Sequence, residues 1–523
     1  MVKNKNKYHY NKNLNIHFMK KNLFISFALV ASLIVSAQQK NTLLDQSFWK
    51  NAPDVTAVQA EIAKGNNPSA STANFFDAVV YAINNDAPTA TIKFLLDQPG
   101  NPVNKTTHDN RIYLHWAASK GNLEIVEYLI AKGSDVNLED SHSAFPITAA
   151  ASSGQSNTAI YEALFKAGVD PKKKYANGAN VLLTAIPFDK NLVLTNYFIT
   201  KGMSLAAVDD DGSNAFDYAA RTGNQTLLKT LLEKGVKPTD NALLIAAQGS
   251  RRDANTLETY KYLVEDLKIK PTATNKDGQN VFHSLVTKSN QTEIINYFLT
   301  KGVDINKADN DGNTPLMNAV SGRETNESLA QLLPLIKNIN IQNKKGESAL
   351  TKAIQSGTAE TVALLLEKGA DIKVLDKDGN NLAFYLVDSY RPQMMGMGRP
   401  TEGNAPKQDP FAAKTKLLQD KGLNLAAPQK DGSTLYHFAV VKNDLNLLKK
   451  LADLNIDINA KNKDDLTALH KAAMIAKDDA ILKYLLSIGA KKEIKTDFDE
   501  SAYALAKENE TLTKKKTDLE FLK

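Results

Sequence analysis

Apolar and polar positions along this chain fall into short helical stripes that return at a fixed interval. Around residues 112–133, Ile112, Tyr113, Leu114, Ala117 and Ala118 make one apolar cluster, and Ile125, Val126, Leu129 and Ile130 make a second. The second set sits at i, i+1, i+4 and i+5, a single stripe on a helix. The spacing predicts a short helix from Leu114 to Lys120 and a break at Gly121-Asn122, where a left-handed residue costs little. A second helix closed by Gly133 follows, then an extended Asp135-Val136-Asn137. The small Ala117-Ala118 pair lets a neighbouring helix approach closely.

The glycine that closes each second helix recurs along the chain. Gly133, Gly168, Gly202 and Gly235 are 35, 34 and 33 residues apart. Gly302 and Gly369 are two periods apart, and Gly422 follows after one period plus an insertion. Asn455 and Gly489 then continue at 33 and 34. A period near 33 held over this length is the signature of a repeat array, in which stacking supplies the partner that one helix pair lacks.

The motifs inside each period carry a resemblance. Thr314-Pro315-Leu316-Met317-Asn318-Ala319, Thr467-Ala468-Leu469-His470-Lys471-Ala472-Ala473 and Leu114-His115-Trp116-Ala117-Ala118 share one pattern. Gly133-Ser134-Asp135-Val136-Asn137, Gly302-Val303-Asp304-Ile305-Asn306 and Gly369-Ala370-Asp371-Ile372-Lys373 share another. An Asp-x-x-Gly turn recurs at 209–212, 309–312 and 376–379. In all three the chain resembles ankyrin repeat proteins, over roughly residues 40–515. The resemblance implies an all-α ankyrin-repeat solenoid of about 13 helix-turn-helix units with short β-hairpin-like turns. Degenerate capping repeats are expected over 38–105 and arrays over 106–390 and 411–492. A capping half-repeat and tail is expected over 493–523, breaking off into Lys514-Lys515-Lys516. The unit near 239–271 departs by ending in Leu267-Lys268-Ile269-Lys270-Pro271 where a Gly-Ala pair is expected.

Charge invites a nucleic-acid reading and then withdraws it. The formal net charge is +6, from 64 bases against 58 acids. Six of those bases and no acid lie in residues 1–37, so the rest of the chain is neutral and offers no basic footprint. Met19-Lys20-Lys21, the apolar run Leu23 to Val35 and Val35-Ser36-Ala37 form the three parts of a secretory signal peptide over 19–37, with cleavage expected after Ala37. Residues 1–18 are Asn/Lys-rich and translation could start at Met1 or Met19. No later run reaches the length of a membrane span. The absence of cysteine excludes disulfides, thiol catalysis, Cys-ligated zinc, iron–sulfur clusters and a lipid-modified cysteine.

Several residues tempt a chemical reading. His115, His283, His437 and His470 occupy one repeat position, where the resemblance implies a structural hydrogen bond at the start of the first helix. Asp209-Asp210-Asp211-Gly212 and Asp309-Asn310-Asp311-Gly312 look like pieces of a calcium loop. Counting from Lys307, however, the twelfth place holds Asn318 and not glutamate, so they read as turns. The Pro/Gly/Met-rich insertion over 391–410 carries Met394, Met395 and Met397. It reads as a partner-gripping loop, a thioether copper site or a tolerated insertion. Trp116 is expected in the core, with a binding anchor as the alternative. No nucleophile elbow, phosphate loop or zinc-protease motif is present. No catalytic residue, cofactor or metal is therefore expected.

The expected function is a non-catalytic protein–protein interaction scaffold, exported to the periplasm or medium of a bacterium and monomeric. It would bind a partner protein, and no nucleic acid, through the concave face and turn tips. The alternatives are a structural or stress-protective envelope protein supporting another enzyme, and a secreted effector. The resemblance places binding on exposed first-helix and turn positions: Arg111, Ser119, Lys120, Asp210, Asp211, Ser213, Arg221, Lys276, Asp277, Gln279, Asn310, Asn313, Lys344, Lys345, Glu347, Lys430 and Ser433.

Overall fold

The structure is a computed structural model and describes residues 41–250, 254–321, 326–391 and 409–523. The leader expected over 1–37 and the expected insertion from 392 to 408 lie outside the described residues. The chain divides into two compact units. One holds residues 41–150 with Ala159–Val169, and the other holds Ala151–Thr158 with Asp170–Lys523.

In the first unit the helix Ala78–Asn84 pairs with Thr89–Leu96, and Tyr113–Lys120 pairs with Leu123–Ala131. First helices pack on first helices and second helices on second helices, giving two layers. Tyr113, Leu114, His115, Ala117 and Ala118 are buried from the first layer, and Ile125, Val126 and Leu129 from the second. Asn122 caps its helix by accepting from the Ile125 N–H at 3.1 Å. Trp49 is fully buried, its indole N–H donating to Leu43 O at 2.9 Å. Trp116 departs from the core expectation. It is half-buried, donates to Thr107 Oγ1 at 2.9 Å, and carries the Arg111 guanidinium on its face at 5.0 Å.

The second unit repeats the same two layers. Its first helices run in contact from Ala215–Ala219 through Asn241–Gln248, Phe282–Leu285, Pro315–Ala319 and Ala349–Ser356 to Leu382–Asp388. Leu435–Val441, Ala468–Ile475 and Ala502–Glu508 complete the row. The glycines that close the second helices adopt positive φ, and where the glycine is missing another residue takes its place. Asn455 does so at φ 52° and Lys268 at φ 58°, the latter after a π-helical turn over Tyr262–Asp266. That turn is how the irregular end of the 239–271 unit is absorbed.

Two expectations are corrected here. Val136 and Asn137 form a turn where an extended segment is expected. The connections between pairs are hairpin-like turns, as in Asp209 N–H donating to Ser213 O at 3.0 Å, and the only bridges among the described residues are the isolated Ser71–Asp77 and Lys495–Ser501. The last unit does not break off into a tail, because Ala502–Glu508 is followed by Glu510–Lys514 and a 3-10 turn at Glu520–Leu522, with Leu512 and Leu522 buried. No helix among the described residues is long and apolar enough to cross a membrane.

Candidate functional site

The turn between successive helix pairs projects as a finger, and its geometry follows from one acid. Asp209 Oδ1 accepts the N–H groups of Asp211 and Ser213 at 2.9 and 2.8 Å, and Asp309 Oδ1 those of Asp311 and Asn313 at 3.0 and 2.8 Å. These carboxylates fold the turn, as the turn reading expects. Adjacent fingers are then tied backbone to backbone. In the second unit Asp210 N–H donates to Asn177 O at 2.9 Å, Asn310 to Asp277 O at 2.7 Å, and Lys344 to Asp311 O at 2.7 Å. Gly346 permits the approach: a Cβ there would lie 2.6 Å from Lys377 N, and its φ is 81°.

Behind the fingers two side-chain devices, each used at four places, link a repeat to the next. His437 Nδ1 accepts the Thr434 N–H at 3.0 Å, and its Nε2–H donates to Leu466 O at 2.9 Å. His115, His283 and His470 do the same with Ala144 O, Asn313 O and Ile494 O. A backbone N–H can only donate and a carbonyl only accept, so the neutral Nε2–H tautomer is dictated. Burial pulls all four imidazoles below their ordinary pKa. This is the structural role expected for them. Asparagine supplies the second device. Asn306 accepts from Lys337 N–H at 2.9 Å and donates to Leu335 O at 3.1 Å; Asn104, Asn340 and Asn459 repeat the pattern.

One repeat has no finger. Twelve residues separate Gly202 from the helix starting at Ala215, but only five, Val236–Asp240, separate Gly235 from the helix Asn241–Gln248. The finger beyond this gap reaches back across it. Lys276 Nζ lies 2.6 Å from Asp211 Oδ1 and 2.9 Å from Asn177 Oδ1, while Asn177 donates to Asp209 and Asp211. Three fingers therefore converge on one polar knot. Nearby, a hollow of about 320 Å³ opens on the side of the first helices, with Phe188, Tyr218 and Arg221 in its wall.

The candidate binding residues divide by what their side chains already do. Asp210, Lys276, Asp277, Asn310, Lys344, Lys345 and Lys430 are exposed on fingers. Ser119, Lys120, Arg111, Asp211, Arg221, Gln279 and Asn313 are half-buried. Of these, Lys120 pairs with Asp86 at 2.8 Å, Arg111 with Asp140 at 2.8 Å, Gln279 donates to Asp309, and Asn313 accepts from Asn343. Ser213, Glu347 and Ser433 are corrected: all three are buried. Ser213 Oγ accepts from Asn241, Glu347 is held by Asn343 and Lys352, and Ser433 Oγ donates to Asp431. They stabilise fingers from inside and present nothing outward. The asparagine links, the Lys276 knot and Phe188 went unread because each depends on the neighbouring repeat.

Helix pairs at this period, each followed by a projecting turn tied to the next, define a helical repeat protein. The chain belongs to the ankyrin repeat family. Models of three-copy ankyrin arrays match residues 50–140, 147–242, 243–333 and 319–394, and models of many-copy arrays match 114–170 and 414–486. It is similar to the human transient receptor potential cation channel subfamily A member 1, 23% identical over 431 residues that make 72% of this chain and 36% of that one. It is also similar to the phosphocholine transferase AnkX of Legionella pneumophila, 23% identical over 274 residues that make 52% of this chain and 22% of that one. The chain thus spans about a third or less of the length of these relatives. Among solved structures it resembles the ankyrin repeat domain of Bcl-3, with TM-score 0.34 and 20% identity over 44% of this chain and 95% of that chain. Ankyrin repeats bind other proteins.

Proposed function

We propose that this chain is a non-catalytic recognition scaffold that holds a partner protein on the face made by its fingers and first helices. The observation that carries this reading is the finger ladder. Backbone hydrogen bonds tie Asp210 to Asn177, Asn310 to Asp277, Lys344 to Asp311 and Lys377 to Lys345, while Asp210, Asp277, Asn310, Lys344, Lys345 and Lys430 stay exposed on the fingers. Polar side chains on a pre-ordered backbone lose little entropy on binding. In this reading the scaffold is monomeric, performs no reaction, and is exported through the 19–37 signal to the periplasm or medium.

The test uses the tagged chain from residue 38 onward as bait against envelope and medium fractions. One stoichiometric partner is expected. Reversing charge at Asp277, Lys344, Lys345 and Lys430 together should release it without moving the melting temperature. A partner retained by the reversed chain, or equal loss of binding and stability, contradicts the reading.

A further inference from the structure

Arg221 is a cation with no counter-charge among the described residues. Its guanidinium is half-buried, and its partners are two neutral oxygens, Gly249 O at 3.4 Å and Gln248 Oε1 at 3.2 Å. Its other N–H groups have no partner among the described residues. Burial pulls its pKa below the ordinary value. The acids beside Tyr218 are already spent: Asp209 Oδ1 holds the finger turn, and Oδ2 accepts from Tyr218 OH at 2.8 Å and from Asn177 at 3.1 Å. Asp211 is likewise taken by Lys276. A partly desolvated charge left like this is costly unless something pairs it.

The surroundings say what kind of partner fits. Arg221 lines the hollow of about 320 Å³, whose other walls include Ala176, Ala179, Pro187 and Phe188. Phe188 is 37% exposed, a large apolar side chain held at the rim. One guanidinium offers two parallel N–H donors, which match a carboxylate.

We propose that this hollow is a specificity pocket that takes an Asp or Glu carboxylate from a peptide segment of the partner, with an adjacent apolar residue packed on Phe188. The proposal rests on the recognition reading above and names the chemistry of its partner.

The probe is a phage-displayed library of random decapeptides selected on the chain from residue 38 onward. Selected peptides are then fluorescein-labelled and titrated by anisotropy. Selected sequences should carry an acid next to an apolar residue. Exchanging that acid for its amide, or Arg221→Gln, should each weaken binding about tenfold or more. The two changes together should cost little more than either alone. Arg221→Lys should recover part of the loss, and Phe188→Ala should weaken binding separately, with an unchanged melting temperature for each variant. Peptides that bind equally well to Arg221→Gln overturn the pocket and leave the recognition reading standing. A selection that returns no binder to any face overturns both.

Discussion

Asp217 stands where four other repeats carry histidine, and its Oδ1 accepts the backbone N–H of Thr239 at 2.8 Å. Oδ2 accepts the Thr239 hydroxyl at 2.8 Å and the Asn214 N–H at 2.9 Å. The exchange of residue follows from the missing finger. In the four histidine repeats the cap faces a carbonyl and needs a donor, which Nε2–H supplies. In the fingerless repeat it faces an N–H and a hydroxyl and needs an acceptor. Asp217→His should therefore destabilise the second unit by about 2–4 kcal/mol, because a buried donor would meet donors. Calorimetry of the variant checks this. A melting temperature equal to that of the parent would mean that the cap is not selecting for an acceptor.

The cap histidines make a pH prediction of known sign. In the folded chain both ring nitrogens are used, and a second proton on Nδ1 would face a backbone N–H. Burial lowers the folded pKa of all four below the ordinary 6.5. Below pH 6.5 the unfolded chain binds the protons that the folded chain refuses, so stability falls as pH falls. The melting temperature should drop between pH 7.5 and 5.5. The drop should shrink in the double variant His437→Asn, His470→Asn, whose side chains do not titrate. An undiminished drop would assign the acid sensitivity to other groups.

The period, the helix pairs and the cap histidines were legible because each repeats a residue type at a fixed place, as in Thr467-x-x-His470. Asn455 was legible as a glycine substitute for the same reason. The outward face was less so. Ser433 and Lys430 sit three residues apart on one finger, yet Ser433 is 1% exposed and Lys430 is exposed. Turn curvature decides that difference, and polarity alone does not report it. The Lys276–Asn177 contact joins residues 99 apart. It spans the place of the finger missing between Asp211 and Lys276, an absence that in sequence is a spacer of five residues where twelve follow Gly202.

Two glycines with the same backbone hand should respond differently to alanine. Gly346 has φ 81° and Gly369 has φ 89°. A Cβ on Gly369 meets nothing within 4 Å, so Gly369→Ala should cost about 1 kcal/mol, the left-handed penalty alone. At Gly346 the Cβ would meet Lys377 N at 2.6 Å and Asp376 Cα at 2.8 Å, both backbone atoms that cannot swing away. Gly346→Ala should cost about 2–4 kcal/mol and raise amide exchange at Lys377. Equal losses at the two sites would mean that the fingers separate easily and the ladder is loose.

Lys414 offers the sharpest test of burial against hydrogen bonding. It is 7% exposed, its ammonium donates to Ala353 O at 3.2 Å and Ile354 O at 2.8 Å, and no carboxylate pairs with it among the described residues. Burial brings its pKa from 10.5 down to about 8. Between those values the unfolded chain keeps a proton that the folded chain has lost, so stability rises with pH through that window. The size of the shift bounds the penalty near pH 7 at about 3 kcal/mol. Against it stand two carbonyl bonds of about 1 kcal/mol each. Ala353 O keeps a bond from the Gly357 N–H at 2.9 Å without Lys414, so its loss is partial. Lys414→Met should therefore melt higher than the parent at pH 7, and its melting temperature should change less than the parent's between pH 7 and 9.5. The comparison stops there because tyrosines ionise above it; Tyr436, pushed up to about 12 by burial, resists doing so in the folded chain. If Lys414→Met melts lower at both pH values, the carbonyl bonds outweigh the buried charge. The lysine would then be a structural tie from the helix Pro410–Asp420 to the end of Ala349–Ser356.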